Sequence, residues 1–381
     1  MNRKPPQNIT NPAISSAPAV IALTMSPLIV QAPTPRIILG LMTFGPDPVA
    51  GGRITSLDTF KAALDLLQSR GYNEVDTARM YINGGQEAFS AAAGVQSRGL
   101  TLATKIQYPV SQGDNSPDRV AASLATSLAA LDAPAVDILY LHAADRGTPF
   151  LSTLRAVDAL HRQAKFVRFG LSNFTSFEVA EIVMTCIHHG LVRPTVYQGM
   201  YNAITRSIET ELIPACRRYG LDIVAYNPLA GGLFSGKVKT KDMVPAEGRF
   251  SDSLKMGKMY RTRYFKDSTF DALRIVEEAT EKAGLTMIET ALRWMVHHSK
   301  LQVGGVPGSG GDDGVIIGVS SVEQLKGNLD DAEKGPLPQE VVDALDRAWH
   351  AAKVDSVNYW HGEVKYGYDP REVLYGPNAE K

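Results

Sequence analysis

The pattern of apolar and polar positions along the chain alternates between two periods. Short β-branched runs bounded by turn residues are followed by longer segments with apolar residues at helical spacing. The runs predict strands at Ile37–Leu41, Tyr72–Val75, Leu100–Lys105, Val136–His142, Phe166–Ser172, Val196–Gln198, Ile223–Tyr226 and Gly314–Val319. Helical periodicity predicts Ser56–Arg70, Pro117–Leu131, Leu151–Gln163, Phe177–His189 and Ile208–Tyr219 between them, and Pro338–Lys353 after the last strand. Strands alternating with helices imply a parallel sheet, either a closed (β/α)8 TIM barrel or an open doubly wound sheet.

Two features favour the barrel. No G-x-G-x-x-G follows the first strand, so the dinucleotide fingerprint of an open sheet is missing. Ionisable residues instead gather at the C-terminal ends of successive strands, where barrels build their sites. The rhythm breaks at residues 229–266, which read as a long loop rich in Gly, Lys and Arg, and at the Gly-rich stretch Val303–Gly314. These divisions predict a poorly ordered extension over residues 1–35, an α/β barrel over 36–353, and a C-terminal tail over 354–381 near the mouth.

Composition adds little beyond this frame. The 381 residues are 44% hydrophobic and 21% charged, with a net charge of -1, which fits a large globular core and gives no sign of a nucleic-acid partner. The apolar run at 17–32 follows Arg3 and Lys4, but Pro27 interrupts it, and it is too short to span a bilayer of about 20 residues. No membrane partner is expected. Cys186 and Cys216 lack metal or redox spacing and are expected to be reduced, buried thiols of a cytoplasmic protein. The His188–His189 and His297–His298 pairs are expected on solvent faces, because adjacent helical residues do not face one another.

The chemistry lies in four strand-end residues: Asp76 and Tyr81 in EVDTARMY, Lys105 ending LATK, and His142 ending DILYLH. Taken singly, each has an ordinary structural role: a turn cap, a rim aromatic, a solvated charge, a satisfied imidazole. Together they suit carbonyl reduction. Hydride attack leaves negative charge on the carbonyl oxygen, which needs a proton. Tyrosine, with a pKa near ~10, is a reluctant acid at neutral pH, and a lysine cation favours its ionised form. A carboxylate keeps the buried lysine charged, and a histidine donates a hydrogen bond to the same oxygen.

These segments resemble the aldo-keto reductases, and within them the aflatoxin aldehyde reductase branch. The matching stretches include GLMTFG, EVDTARMY, LATK, VDILYLHAADRGTP, GLSNF, PTVYQGMYNAITRSIETELIP, AYNPLAGGLFSGK, YRTRYFK and IIGVSSVEQLKGNL, in family order from about residue 36 to 350. The resemblance implies Tyr81 as proton donor, Asp76 and Lys105 as its tuning pair, and His142 as the residue that orients the substrate. It implies an NADP(H) groove in which Ser172, Asn173 and Gln198 meet the nicotinamide carboxamide and Tyr226 packs on its ring. Asn227, Leu229, Gly231 and Lys237 would wrap the pyrophosphate with Arg249, and Ser320, Ser321, Gln324 and Asn328 would meet the adenosine phosphate. Tyr260, Arg263 and His361 would line the substrate rim, where arginine can bind a carboxylate bidentately.

The chain departs from the branch in two places. Gly327 stands where a Glu or Gln usually precedes the matching Asn, whereas Gln324, at a position where distant branches carry an arginine, is as in the closer branches. Asn358–Trp360 is followed by His361 and a tail instead of a terminal arginine. His361 is therefore expected to bind anions in a pH-dependent way. The expected partner is a small-molecule carbonyl substrate, with a homodimer as the expected assembly. Two alternatives stand beside this reading: a cofactor-binding partner subunit like the potassium-channel β subunits, and a dedicated secondary-metabolite reductase or dehydrogenase.

Overall fold

Eight parallel strands close on themselves in chain order in the computed structural model, which describes residues 35–253, 255–303 and 310–376. Residues 1–34 of the expected extension, and most of the Gly-rich stretch before the last strand, lie outside the described residues. The strands are β1 (Ile37–Gly40), β2 (Glu74–Asp76), β3 (Thr101–Lys105), β4 (Val136–Leu141), β5 (Phe166–Ser172), β6 (Val196–Met200), β7 (Asp222–Tyr226) and β8 (Gly314–Gly318). Alternate residues face opposite sides. Ile38, Ala103, Ile138, Tyr140, Val196, Val224 and Ile316 fill the interior of the barrel. Their neighbours Leu39, Leu102, Leu139 and Ile317 face the helices. The Tyr140 ring fits only because Gly170 on the next strand has no side chain: a Cβ there would stand 2.4 Å from the ring.

Each strand is followed by helix. The helices are α1 (Leu57–Ser69), α2 (Gln86–Ala92), α3 (Pro117–Ala130), α4 (Phe150–Arg162), α5 (Ser176–His189), α6 (Leu212–Tyr219), α7 (Lys255–Tyr264), α8 (Asp267–Lys282), α9 (Met287–His297), α10 (Val322–Ala332), α11 (Gln339–Ala352) and α12 (Pro370–Tyr375). Local chemistry sets their starts. Ser56, Thr286 and Ser321 each accept a first-turn amide, and Thr175 and Glu178 form a full capping box. The predicted helix over 208–219 begins only at Leu212, because Pro214 has no N–H and belongs in a first turn. A short 3-10 turn, Ser207–Glu209, precedes it.

The stretch read as a long loop after β7 contains α7. Met256, Tyr260 and Tyr264 recur every fourth residue along it. Phe250, Tyr260 and Tyr264 are buried and Phe265 stacks on Phe250, so aromatic burial organises a segment whose composition reads as solvent-facing. Cys186 and Cys216 are buried free thiols. His188, His189 and His297 are exposed, and His298, partly buried, accepts the Leu337 amide. Among the described residues no helix is long and apolar enough to cross a membrane, and no His, Cys, Asp and Glu group could hold a metal.

The β7–β8 seam of the barrel is short, pairing only Val224 with Gly314 and Ala225 with Val315. Asp313 reinforces it. Its buried carboxylate accepts from the amides of Ile223 and Gln302, both at 2.6 Å, and pairs with Arg217. Removing one partner of such a buried pair costs about 3–5 kcal/mol. Asp313→Ala is therefore expected to lower the unfolding free energy by about 3 kcal/mol in a urea titration. Arg217→Ala should cost less, since Asp313 keeps both backbone donors. Equal losses in the two variants would show that the carboxylate does not close the seam.

Candidate active site

The C-terminal strand ends bring the four chemical residues together. Asp76 ends β2, Lys105 ends β3, and His142 follows β4. The Lys105 ammonium is fully buried. It pairs with Asp76 Oδ1, donates to the Thr77 carbonyl at 2.8 Å and lies 3.3 Å from the Tyr81 hydroxyl. Asp76 Oδ2 accepts from the Gln198 side-chain amide at 2.9 Å. The His142 ring stands edge-on to Tyr81, 6.1 Å between centroids, and its Nδ1 has no hydrogen-bond partner among the described residues.

Tyr81 opens a short turn with unusual backbone. Ile82 and Asn83 both have positive φ, at 50° and 51°, before Gly84 at 89°. Such a conformation costs of order 1–3 kcal/mol per non-glycine residue and is rarest for a β-branched one. The Ile82 side chain is buried against Gly45, where a Cβ would come within 2.8 Å of it. Packing of Ile82 on Gly45 thus supports the strained turn from one side.

Burial dominates the protonation states. The Tyr81 phenol is pushed well above its ordinary value by burial first and the Asp76 carboxylate second. The expectation of a lowered value is not met in the resting site: burial outweighs Arg249, the cation that opposes the rise, and the proton stays on Tyr81. Burial also lowers Lys105, while Asp76, and behind it Glu87, push it back towards the charged form. His142 falls well below the usual histidine range through burial, the Lys105 cation and then His361, which leaves a neutral imidazole.

The residues expected around a cofactor line the same mouth, with several already engaged. Ser172 Oγ accepts from Asn173 Nδ2, which also donates to the His142 carbonyl at 2.9 Å. Asn173 Oδ1 accepts from the Tyr226 hydroxyl at 2.9 Å. Gln198 holds Asp76 through its amide nitrogen. Asn227 shapes the turn after β7: at φ 66° its Oδ1 accepts the Gly231 amide and its Nδ2 donates to Tyr264. The Leu229 carbonyl accepts the Gly232 amide within that turn. Gly231 takes φ 71°, and a Cβ there would stand 2.9 Å from the Tyr260 ring. Lys237 and Ser320 are exposed. Ser321 Oγ and Gln324 Oε1 complete the first turn of α10, and Asn328 is buried one turn later. Glycine-rich backbone at positive φ beside exposed cationic and hydroxyl groups fits a phosphate-bearing ligand.

At the rim, Arg249 donates to the Tyr260 hydroxyl at 2.8 Å, and the Arg249 and Arg263 guanidinium groups both lie near the Tyr260 ring, at 5.4 and 5.5 Å. Tyr260 is a buried support whose hydroxyl is already engaged. Arg263 forms no ion pair among the described residues. His361 donates its amide to the Asn173 carbonyl and shares a 3.0 Å hydrogen bond between Nδ1 and the Tyr108 hydroxyl. Burial, with Arg263 and Arg146 nearby, lowers His361 to about 4. That corrects the expectation of an anion site titrating near neutrality, since the imidazole is uncharged there.

Two residues of this mouth escaped the sequence reading. Tyr108 meets His142 edge-on at 5.2 Å, and its place three residues beyond a strand end was the available signal. Arg146 pairs with the buried Glu178 and donates to the carbonyls of His361 and Glu363, which fastens the tail across the mouth. No local pattern marked it, because its partners lie in α5 and the tail, distant in sequence.

Comparisons with known proteins agree with this geometry. The family model described as "Aldo/keto reductase family" matches residues 36–350. The chain is 43% identical over 357 residues to the human protein named aflatoxin B1 aldehyde reductase member 2, covering 91% of this chain and 94% of that one. It is 42% identical over 335 residues to human aldo-keto reductase family 7 member A3, and 35% identical over 339 residues to aldo-keto reductase pigE of Monascus ruber. These relatives favour a reductase over a channel-associated subunit. The chain belongs to the aldo/keto reductase family, whose members reduce carbonyl compounds with a nicotinamide cofactor.

Proposed function

We propose that this protein is an NADPH-dependent aldehyde reductase in which Tyr81 delivers the proton. The observation that carries the reading is the buried Asp76–Lys105–Tyr81 chain beside the unpartnered His142 nitrogen. When bound, a nicotinamide cofactor would supply the hydride for the carbonyl carbon. Tyr81 then gives its phenolic proton to the oxygen as negative charge develops there. Lys105 stabilises the tyrosinate left behind, and Asp76 holds Lys105 charged in a setting that would otherwise neutralise it. His142, neutral, donates a hydrogen bond that orients the carbonyl without adding charge.

Ser172, Asn173, Gln198 and Tyr226, at neighbouring strand ends, would meet the nicotinamide, and Lys237, Arg249 and Ser320 would serve the phosphates of the cofactor. A 2′-phosphate adds about two negative charges that such cations recognise. The names of the aldehyde reductase relatives support an aldehyde substrate, and the unpaired Arg263 supports an acidic one. The tail segment that Arg146 holds at His361 and Glu363 would cover the substrate there. Buried thiols fit a cytoplasmic setting, and a homodimer is the assembly that goes with the reading.

Four outcomes test it. Tyr81→Phe should lower kcat by about 10²-fold or more while NADPH binding stays within a few-fold, and near wild-type turnover would remove the proton-donor role. Fluorescence titration should show tighter binding of NADPH than NADH, with the gap narrowed in Lys237→Ala; equal wild-type constants would refute the preference. For an acidic aldehyde and a neutral analogue of similar size, Arg263→Met should erase most of the difference in kcat/KM, roughly ten- to a hundredfold, as one charge-assisted hydrogen bond predicts. The preference should be flat between about pH 5.5 and 8, because His361 is neutral throughout, and should rise only as pH falls towards 4, where its protonation adds a cation. A break near pH 6.5 that vanishes in His361→Gln would contradict this.

A further inference from the structure

We propose that Arg79 and Glu87 act as a clamp that positions the Tyr81 hydroxyl against Lys105. The inference rests on Tyr81 as proton donor and adds the residues that hold it in place.

The clamp encloses the turn that carries Tyr81. Arg79 lies two residues before Tyr81, and its own amide bonds to the Lys105 carbonyl at 3.0 Å, so its backbone is tied to the end of β3. Its side chain reaches over the turn. One guanidinium nitrogen donates to the Gly84 carbonyl at 2.5 Å, and the other pairs with the Glu87 carboxylate. Glu87 is fully buried at the start of α2, and its second oxygen accepts from Thr104 Oγ1 at 2.7 Å. Thr104 immediately precedes Lys105. The two sides of the proton-transfer contact are therefore joined by one chain of bonds: Tyr81 turn, Arg79, Glu87, Thr104, Lys105.

This arrangement explains why the turn stays in its strained form. Ile82, Asn83 and Gly84 in succession hold positive φ. Without a bridge across it, such a turn relaxes towards ordinary backbone, and Tyr81, which opens the turn, moves with it. Gly84 belongs to the clamp for a steric reason too: at φ 89° a Cβ would stand 2.4 Å from the Arg79 guanidinium nitrogen. Arg79 and Glu87 do not enter the proton-transfer chain. They act as positioning residues, through the turn and through Thr104.

The test compares Arg79→Met, Arg79→Lys and Tyr81→Phe in the full-length enzyme. A misplacement near 1 Å costs up to about 10²-fold in rate, so Arg79→Met should lower kcat by about tenfold or more, with aldehyde KM and the NADPH dissociation constant within about twofold. The solvent deuterium isotope effect on kcat should rise in Arg79→Met, because proton delivery becomes the slow step. Arg79→Lys, which retains the pairing with Glu87, should recover part of the rate. A crystal structure of Arg79→Met should show the Tyr81 oxygen beyond hydrogen-bonding distance of Lys105. Wild-type kcat in Arg79→Met, or a loss of kcat with an unchanged isotope effect and an unmoved Tyr81, would overturn the clamp. If Tyr81→Phe is inactive in either case, the proton-donor reading stands without the clamp. Activity retained in Tyr81→Phe would remove that reading itself.

Discussion

The ammonium of Lys105 is the constraint on which the mouth of this barrel depends. An ion moved into a protein interior carries an effective penalty of several kcal/mol unless its charge and its hydrogen-bonding capacity are both met. Asp76 and the Thr77 carbonyl meet them from the adjacent strand, and Tyr81 closes the remaining side. Asp76 is itself tied by Gln198, 122 residues away in sequence and across the barrel interior. That last contact exists only when the sheet closes. The charge of Lys105, and with it the chemistry of Tyr81, is therefore a consequence of barrel closure, and the Asp313 seam between β7 and β8 supports the site as well as the fold.

How much of this the sequence disclosed follows from where each signal resides. Strand and helix order could be read because burial on two faces imposes its period on every segment. The bounds mostly moved by a residue or two, and α6 began four residues later, at the turn containing Pro214. The tetrad could be read because the four residues fall at strand ends, where side chains must converge. What could not be read depends on partners distant in sequence. The charged segment after β7 hid α7, because its helix-forming information lies in Tyr260 and Tyr264 packing on Phe250, and composition averages that away. Gln198 carries no mark of its bond to Asp76. His361 reads as an ordinary titrating histidine until Arg146 and Arg263 are seen beside it. The SSVEQ segment was open to two readings, and Ser321 and Gln324 do cap α10, which leaves any phosphate contact additional to that structural role.

The mouth also shows how a cationic site keeps neutral hydrogen-bonding groups. Lys105, Arg249, Arg263 and Arg146 surround it, and Asp76 and Glu178 are bound to Lys105 and Arg146 already. A further positive charge in that field is disfavoured, and both imidazoles respond: His142 is pushed down by Lys105 after burial, His361 by Arg263 and Arg146 after burial. The linkage has a definite sign. Each histidine has a lower pKa folded than unfolded, so the unfolded chain binds more protons as pH falls below about 6.5, and folding stability declines from there towards the folded pKa.

The same field fixes what the site can do near neutral pH. Tyr81 keeps its proton because burial opposes tyrosinate, and the histidines stay uncharged because the cations oppose imidazolium. Neither His142 nor His361 carries charge near neutral pH, and Tyr81 holds its proton until a reacting oxygen generates negative charge beside it. On the proposed reading the cations then serve that charge in transit: Lys105 the tyrosinate, Arg249 and Arg263 the anionic groups of whatever is bound. Fixed charges that need no reorganisation at the moment of reaction are the strongest electrostatic device available to an enzyme. Here their orientation is set by strand register, a buried carboxylate and a turn held in left-handed backbone, which is why catalysis and folding cannot be separated in this barrel.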